Sequence, residues 1–425
     1  MEGSIPTVAV IGAGLRSSVY AAEAKRTGAA RIVAVAEPDP SRREWFAREY
    51  GIEPDKIFDD WTALLDAGRL ADAVIVATQD RMHLEPAVAA ADLGYHILLE
   101  KPMAPTEEEA TTIVEAAERN GVMLAVCHVM RYSAYTRRLM TLLAEGIVGR
   151  IIDVQHLEQV GWWHFAHSFV RGNWRREDES TSMLLAKACH DLDWITYVMG
   201  AVPRRVSSFG SLNHFRAENR PEGAADRCWE CPLSSSCAYS AKEFYLGCLG
   251  DPEKEFWPLS AVTTDATPAG VEKALRDGPY GRCVYASDND VVDNQVVALE
   301  FPSGATATVT VTAFAALEHR KTRIFGTEGS IEGDGRMLRI HDFLTDTRTE
   351  IDTGDGDDAS MAGGHGGADE ALAEAFFRAV REGDPGLVLT DGRASLDSHR
   401  VVWAAEAARR DSTVVTMGIQ GEAKR

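Results

Sequence analysis

The chain has 425 residues, 45% of them hydrophobic, which suffices for a large buried core and for two domains. Its 44 lysines and arginines stand against 65 aspartates and glutamates, a formal charge of -21 that repels phosphate backbones, so nucleic acid is not an expected partner. No apolar run is long enough to span a bilayer, and Met1-Glu-Gly-Ser-Ile-Pro6 lacks the charged start and apolar stretch of a signal peptide; the expectation is a cytoplasmic protein with no membrane partner.

The first 130 residues alternate apolar runs with helical patterns. Thr7–Ile11, Arg31–Ala36, Ala73–Thr78, His96–Leu99 and Met123–Cys127 read as buried strands, which predicts an α/β domain built on a doubly wound parallel sheet. Between the first strand and the helix after it lies Gly12-Ala-Gly14-Leu15-Arg16-Ser17, a tight turn whose backbone N–H groups can meet a pyrophosphate. Glu37 closes the second apolar run, where a carboxylate can accept hydrogen bonds from an adenosine ribose. That favours NAD over NADP, although Arg42 and Arg43 nearby offer partners for a 2′-phosphate.

After Arg131 the pattern changes, and residues 131–425 are expected to form a second, α+β domain. It opens with a helix over Ala134–Glu145, stopped by Gly146 and Gly149, and a strand over Ile151–Val160. Gly161 to Arg175 then mixes aromatic faces with polar heads, the combination that binds sugar rings; His164, Arg171 and Trp174 are the candidates for substrate contact. Ser182 to Ile195 reads as one largely apolar helix with Lys187, His190 and Asp193 on a single stripe, and Lys187 is also spaced to pair with Asp191. Val206–Leu212, Val296–Phe301, Ala305–Ala313 and Lys321–Glu328 predict a large, mostly antiparallel open sheet with one face buried. Asp352–Gly367 is a Gly/Asp-rich loop carrying His365 in Gly363-Gly-His365-Gly-Gly367, and two helices, Ala368–Arg381 and Arg393–Arg409, close the fold.

Residues 217–293 are poor in periodicity and hold most of the seven cysteines. Cys228, Cys231 and Cys237 form a C-x2-C-x5-C array that suits tetrahedral zinc, with Cys283 as the fourth ligand and Cys248 as its competitor; an iron–sulfur cluster is the lesser alternative. Cys127 and Cys189 lie in apolar runs and are expected in the core.

His96-Ile-Leu-Leu-Glu100-Lys101-Pro102, taken with the glycine turn, resembles the Gfo/Idh/MocA oxidoreductase family, and the similarity covers nearly the whole chain. The resemblance implies that Lys101 stands beside both nicotinamide and substrate, next to Glu100, with a cis proline after it. It also implies that Ala77-Thr78-Gln79-Asp80-Arg81-Met82-His83 lines the nicotinamide pocket through Thr78 and His83, with Gln79-Asp80 where the family has Pro-Asn. The family places a general acid/base at His190 and an aspartate four residues earlier, a position held here by Ala186. Lys101 and His190, helped by Lys187, are therefore the expected proton-handling set. The cysteine array is similar to an insertion in some members, where a structural role is implied, and Gly-His-Gly-Gly occurs in NAD-dependent glycosidases of the superfamily. The implied activity is hydride transfer from a secondary hydroxyl of a sugar, cyclitol or derivative to NAD in a homodimer or homotetramer. A glycoside hydrolase with recycled NAD is the alternative. A non-catalytic NAD-responsive protein is a second one, and the intact Glu100-Lys101-Pro102 and His190 argue against it.

Overall fold

Strands buried on both faces need no alternation, and the near-continuous apolar runs of the first domain pair side by side for that reason. In the computed structural model, which describes residues 4–354 and 364–418 without the side chains of 364 and 365, they form a parallel sheet. Its strands are β1 (Thr7–Ile11), β2 (Arg31–Ala36), β3 (Ile57–Phe58), β4 (Ala73–Val76), β5 (His96–Leu99) and β6 (Leu124–Val126), in the order β3-β2-β1-β4-β5-β6. The strand order reverses at β1 and β4, so a crevice opens beyond their carboxyl ends, where the glycine turn lies. β3 has only two residues, too few to show a pattern.

The second sheet has nine strands: β7 (Ile151–Gln159), β8 (Arg205–Ser211), β9 (Asn294–Glu300), β10 (Thr306–Thr312), β11 (Lys321–Gly326), β12 (Gly329–Gly333), β13 (Met337–Asp342), β14 (Thr347–Asp352) and β15 (Val415–Thr416). The order is β14-β13-β12-β11-β7-β10-β9-β8-β15, antiparallel throughout except for β7 with β10. Burial alternates along β9 and β10, as a sheet with one covered face requires. The helices Cys189–Met199 and Gly392–Asp411 pack against it, while Ile152, Phe209 and Val296 remain exposed. The sequence reading ends at Lys321–Glu328 and does not single out β12, β13, β14 or β15; β14 is nearly all exposed and carries no apolar alternation, and β15 has only two residues.

Two features differ from the sequence reading. Ser182 to Ile195 is not one helix: Met183–Ala186 and Cys189–Met199 are separated by Lys187 and Ala188. Secondly, the helix Gly364–Glu382 begins inside the glycine run and returns to the first domain, where Ala368, Leu372, Phe376 and Phe377 share a core with Val8, Val10, Tyr20 and Ala24. Amphipathicity shows that such a helix has an apolar face, but not which sheet will cover it.

The segment leaving the parallel sheet is tied to the second domain by a buried ion pair. Arg131, just after β6, donates to both carboxylate oxygens of Asp193 on the helix Cys189–Met199, at 2.8 and 2.6 Å, with both side chains almost inaccessible to water. Removing one partner strands the other charge in a dry site. Asp193→Ala is expected to cost about 3–5 kcal/mol in denaturant unfolding, and Asp193→Ala combined with Arg131→Met to recover most of that loss.

Candidate active site

The glycine turn is shaped by close backbone approach. Gly12 has φ 88°, and a Cβ there would sit 2.7 Å from the Ala77 carbonyl oxygen, so only glycine fits. A Cβ on Gly14 would meet nothing within 4 Å, which marks open space above the turn. Gly14 supplies no side-chain cap to the helix Leu15–Thr27, and no acidic residue lies in its first turn, so the amides from Leu15 onward are left for an anion. Ser17, in place of a third glycine, is fully buried and donates to the Gly14 carbonyl. At the end of β2 the Glu37 carboxylate accepts from the amides of Ala13 at 2.8 Å and Asp39 at 3.0 Å, which holds it beside the turn. Arg43 is spent on the carbonyls of Glu37 and Pro38. A cradle of amides with a carboxylate at the ribose position fits NAD.

The Arg16 side chain is engaged by protein partners beside the turn. Its guanidinium bridges Glu100 at 2.8 Å, the Tyr20 hydroxyl at 2.5 Å and Asp369 of the returning helix. Burial opposes ionisation of Glu100, but Arg16, Tyr20 and Lys101 outweigh it and hold the carboxyl below its usual range. The glycine turn, the Glu100-Lys101-Pro102 motif and the returning helix Gly364–Glu382 thus meet on one cation.

Lys101 follows, with a cis bond to Pro102. Its Nζ donates to the carbonyl of Ala186 at 2.8 Å, an oxygen at the break between the two helical pieces. The position where the family has an aspartate thus reaches the lysine here through the main chain. His83 is fully buried, its two ring nitrogens reaching the carbonyls of Pro102 at 2.9 Å and Thr78 at 3.1 Å. It braces the loop after β4 against the Lys101-Pro102 turn rather than facing the cavity.

Arg16, Thr78, Glu100, Lys101, His164, Trp174, Lys187 and His190 line one cavity of about 810 Å³ including its mouth. Three lining residues were not singled out from the sequence, Ser168, Phe169 and Arg320, and Asp80 comes from the loop Ala77–His83 that the resemblance places at the pocket. Asp80 accepts from Trp174 Nε1 at 3.1 Å and the Ser180 hydroxyl at 3.0 Å, so Trp174 also fastens the first domain to the second. His164 is driven well below its usual pKa by burial, with Lys187 and His167 adding to the effect, and is neutral at pH 7. His190 meets the ring of His128 edge-on at 5.6 Å.

The helix break corrects the expected Lys187–Asp191 pairing. Lys187 turns to Glu158 on β7, at 3.3 Å, while Asp191 accepts from Arg320 at 2.9 Å and lies 2.9 Å from His156 Nε2. Arg320 also contacts Glu158 at 2.7 Å, so two acids and two cations form a continuous layer along one wall. Burial lowers the Lys187 pKa, with Glu158 opposing. Burial pushes Asp191 up, yet Arg320 and His156 outweigh it and its carboxyl sits below the usual range. Glu158 had a readable signal: Val154, His156 and Glu158 fall on one face of a strand at period two, and a charge on an inward face needs partners.

Other expected site residues lie elsewhere. Arg171 points away from the cavity, donating to the carbonyls of Arg282 at 2.8 Å and Tyr239 at 2.7 Å and approaching Cys228 Sγ at 3.5 Å. The side chain of His365 is outside the described residues. Cys228, Cys231, Cys237 and Cys283 line one small cavity beside Arg171, brought together partly by the backbone bridge between Arg227 and Arg282. Cys248 is buried elsewhere, donating to the Phe244 carbonyl. Among the described residues no group of three or more His, Cys, Asp or Glu side chains is arranged to hold a metal, so the expected zinc site is not formed in this arrangement. Cys127 and Cys189 are buried as expected.

Asp191 gives a pH test. A carboxyl with a depressed folded pKa stabilises the fold fully above its unfolded value of about 4 and loses that contribution as pH falls through the folded value. The Tm difference between wild type and Asp191→Asn is expected to be constant above about pH 4 and to shrink below it, measured by thermal unfolding across a pH series.

Comparison with known proteins agrees with this geometry. Residues 7–128 match the oxidoreductase family's NAD-binding Rossmann fold, and residues 141–417 match its C-terminal alpha/beta domain. The chain is 25% identical to the Bacillus subtilis oxidoreductase YteT over 72% of each protein. It is 28% identical to the 2,7-anhydro-N-acetylneuraminate hydratase of Mediterraneibacter gnavus over 48% of this chain, spanning about half (51%) of that relative. A levoglucosan dehydrogenase solved with NADH and levoglucosan shares the fold, with a TM-score of 0.69 at 21% identity over 96% of this chain and 98% of that one. With both domains matched and a dinucleotide cradle opening on the lysine cavity, the chain belongs to the Gfo/Idh/MocA oxidoreductase family.

Proposed function

We propose that the protein is an NAD-dependent dehydrogenase that removes hydride from a secondary hydroxyl carbon of a sugar, cyclitol or related polyol. The observation that carries this reading is the convergence of Lys101, His190 and Lys187 on one cavity that also reaches Arg16 and Glu100 at the cofactor turn. NAD, when bound, supplies the hydride acceptor. Lys101 has three N–H donors and spends one on Ala186, so its ammonium can hold and polarise the substrate oxygen. His190 takes or relays the hydroxyl proton as the carbon gives up hydride. His164, neutral, and Trp174 present polar and flat apolar surfaces to the ring, and the mixed signs along the Glu158 layer suit a neutral polyol. The sugar substrates named for relatives such as D-glucoside 3-dehydrogenase and levoglucosan dehydrogenase support the class.

A panel of sugars, inositols and aryl glycosides with NAD, followed at the nicotinamide absorbance, tests the reading. Lys101→Ala is expected to lower turnover by about two to four orders of magnitude while NAD binding, measured by fluorescence titration, persists. Unchanged turnover in that variant defeats the proposal, and NAD binding with no NADH from any polyol leaves a binding role.

A second reading, redox-neutral glycoside cleavage, is favoured by one observation: the Gly-His-Gly-Gly run opens the helix whose Asp369 clamps Arg16 at the cofactor turn. His365, whose side chain lies outside the described residues, is the substrate-contact candidate of that reading. Release of aglycone without accumulation of NADH distinguishes this from net oxidation.

The four cysteines that share a cavity are proposed to close on a structural zinc ion by rotation of their side chains, with Arg171 offsetting the thiolate charge. Metal analysis is expected to give one zinc per chain, lost together with thermal stability in Cys231→Ser and unaffected by Cys248→Ser. Assembly as a homodimer or tetramer through the sheet face bearing Ile152, Phe209 and Val296 completes the proposal.

A further inference from the structure

His190 lines the lysine cavity, and behind it stands a second histidine that no step of the proposed reaction uses. His128, two residues after β6, is fully buried and meets the His190 ring edge-on at 5.6 Å, with the ring planes 83° apart. Neither ring nitrogen of His128 has a hydrogen-bond partner among the described residues. A dry imidazole with both nitrogens unpaired destabilises a fold, and leucine or phenylalanine would fill the space at no such cost, so the residue calls for a reason beyond packing.

The other polar groups around His128 are engaged elsewhere. His399, its ring centroid 5.1 Å away, accepts from the Met103 amide at 3.1 Å through Nε2 and donates to the Ser395 carbonyl at 2.8 Å through Nδ1. Both of its nitrogens are thereby used. Arg131 gives its guanidinium to Asp193 and to the Leu389 carbonyl, and Lys101 holds the Ala186 carbonyl. Burial, and after it the charges of Arg131 and Lys101, drive His128 well below the usual imidazole pKa, so at pH 7 it is neutral, with one N–H and one lone pair. A ring in this state is a poor resting place for a proton but a good hydrogen-bond acceptor, and His190 is the partner its position offers.

We infer that His128 accepts a hydrogen bond from one ring N–H of His190 while the other ring nitrogen of His190 carries the proton taken from the substrate hydroxyl. This rests on the proposed hydride transfer and adds a positioning residue to it. As the carbinol C–H bond gives hydride to nicotinamide, the O–H bond breaks, its proton passes to His190 and a carbonyl is left; His128 keeps its single proton throughout. The outer torsion of a histidine side chain is soft, so the edge-on rings need only a turn of one of them to bring N–H and lone pair into line. A neutral acceptor behind His190 stabilises the imidazolium in a wall where Lys101 and Arg131 oppose a further positive charge and the Asp193 carboxylate is already held by Arg131. It also fixes which edge of the His190 ring turns to the substrate.

The test compares full-length wild type with His128→Phe and His128→Leu, which remove the acceptor, and His128→Gln, which keeps one. The His190 ring is titrated by NMR in histidine-labelled protein, and NADH formation from levoglucosan, methyl glucoside and myo-inositol is followed as a function of pH. His128→Phe and His128→Leu are expected to lower the His190 midpoint by about one pH unit, with His128→Gln restoring at least half of the shift. Turnover at pH 7 should fall about tenfold in the first two variants with KM kept within about threefold, and the acid limb of kcat should move down with the His190 midpoint. An unmoved midpoint, or a His128→Gln that behaves like His128→Phe, overturns the inference. So does failure of both His128→Phe and His128→Leu to fold in thermal unfolding, which would mark a purely structural imidazole. A shifted midpoint with no NADH formed by wild type from any of the three compounds sustains the His128 contact and counts against the dehydrogenase reading. An unmoved midpoint with wild-type turnover intact removes the contact and leaves hydride transfer standing.

Discussion

The hydrogen bond from Lys101 Nζ to the Ala186 carbonyl joins the two halves of the candidate site. Lys101 comes from the end of a strand in the parallel sheet and Ala186 from a short helix over the nine-stranded sheet, so the contact measures how the domains dock. The helical run breaks at Lys187 and Ala188, next to that carbonyl. The break also swings Lys187 toward Glu158 and leaves Asp191 to Arg320 and His156.

Those redirected charges make the wall of the site possible. Glu158 and Asp191 are almost inaccessible to water, and each would be costly to bury alone; between Arg320, Lys187 and His156 they are paired. A layer of this kind stabilises little against well-packed apolar residues, but it sets rigid dipoles and charges beside the lysine cavity, where they need not reorganise when substrate arrives. Lys187 and Arg320 of this layer line both the lysine cavity and a second cavity beyond Glu158.

The returning helix adds a second constraint. Through Asp369 it closes on Arg16, and through Phe376 and Phe377 it packs under the first sheet, so cofactor turn and C-terminal segment share one core and one buried cation. Arg16 is thereby a brace for the cradle, while the anion-binding capacity rests with the backbone amides of the helix beginning at Leu15.

What the sequence by itself determined is local: the strand–glycine turn–helix opening, Glu37 at the end of β2, the Glu100-Lys101-Pro102 strand end, and the alternating strands of the second sheet. These follow from backbone conformation and from burial at period two or in continuous apolar runs, both of which act over a few residues. The residue types of the candidate site were legible for the same reason, and Lys101, Lys187, His190, His164 and Trp174 do line one cavity. Only the tertiary structure decided the partners. Whether Lys187 meets Asp191 or Glu158, whether Arg16 faces a pyrophosphate or Asp369, and whether Arg171 faces substrate or the cysteine cavity depend on groups far away in the chain. Charges are satisfied by whatever the docked surfaces bring within a few ångströms, and sequence spacing carries no record of that.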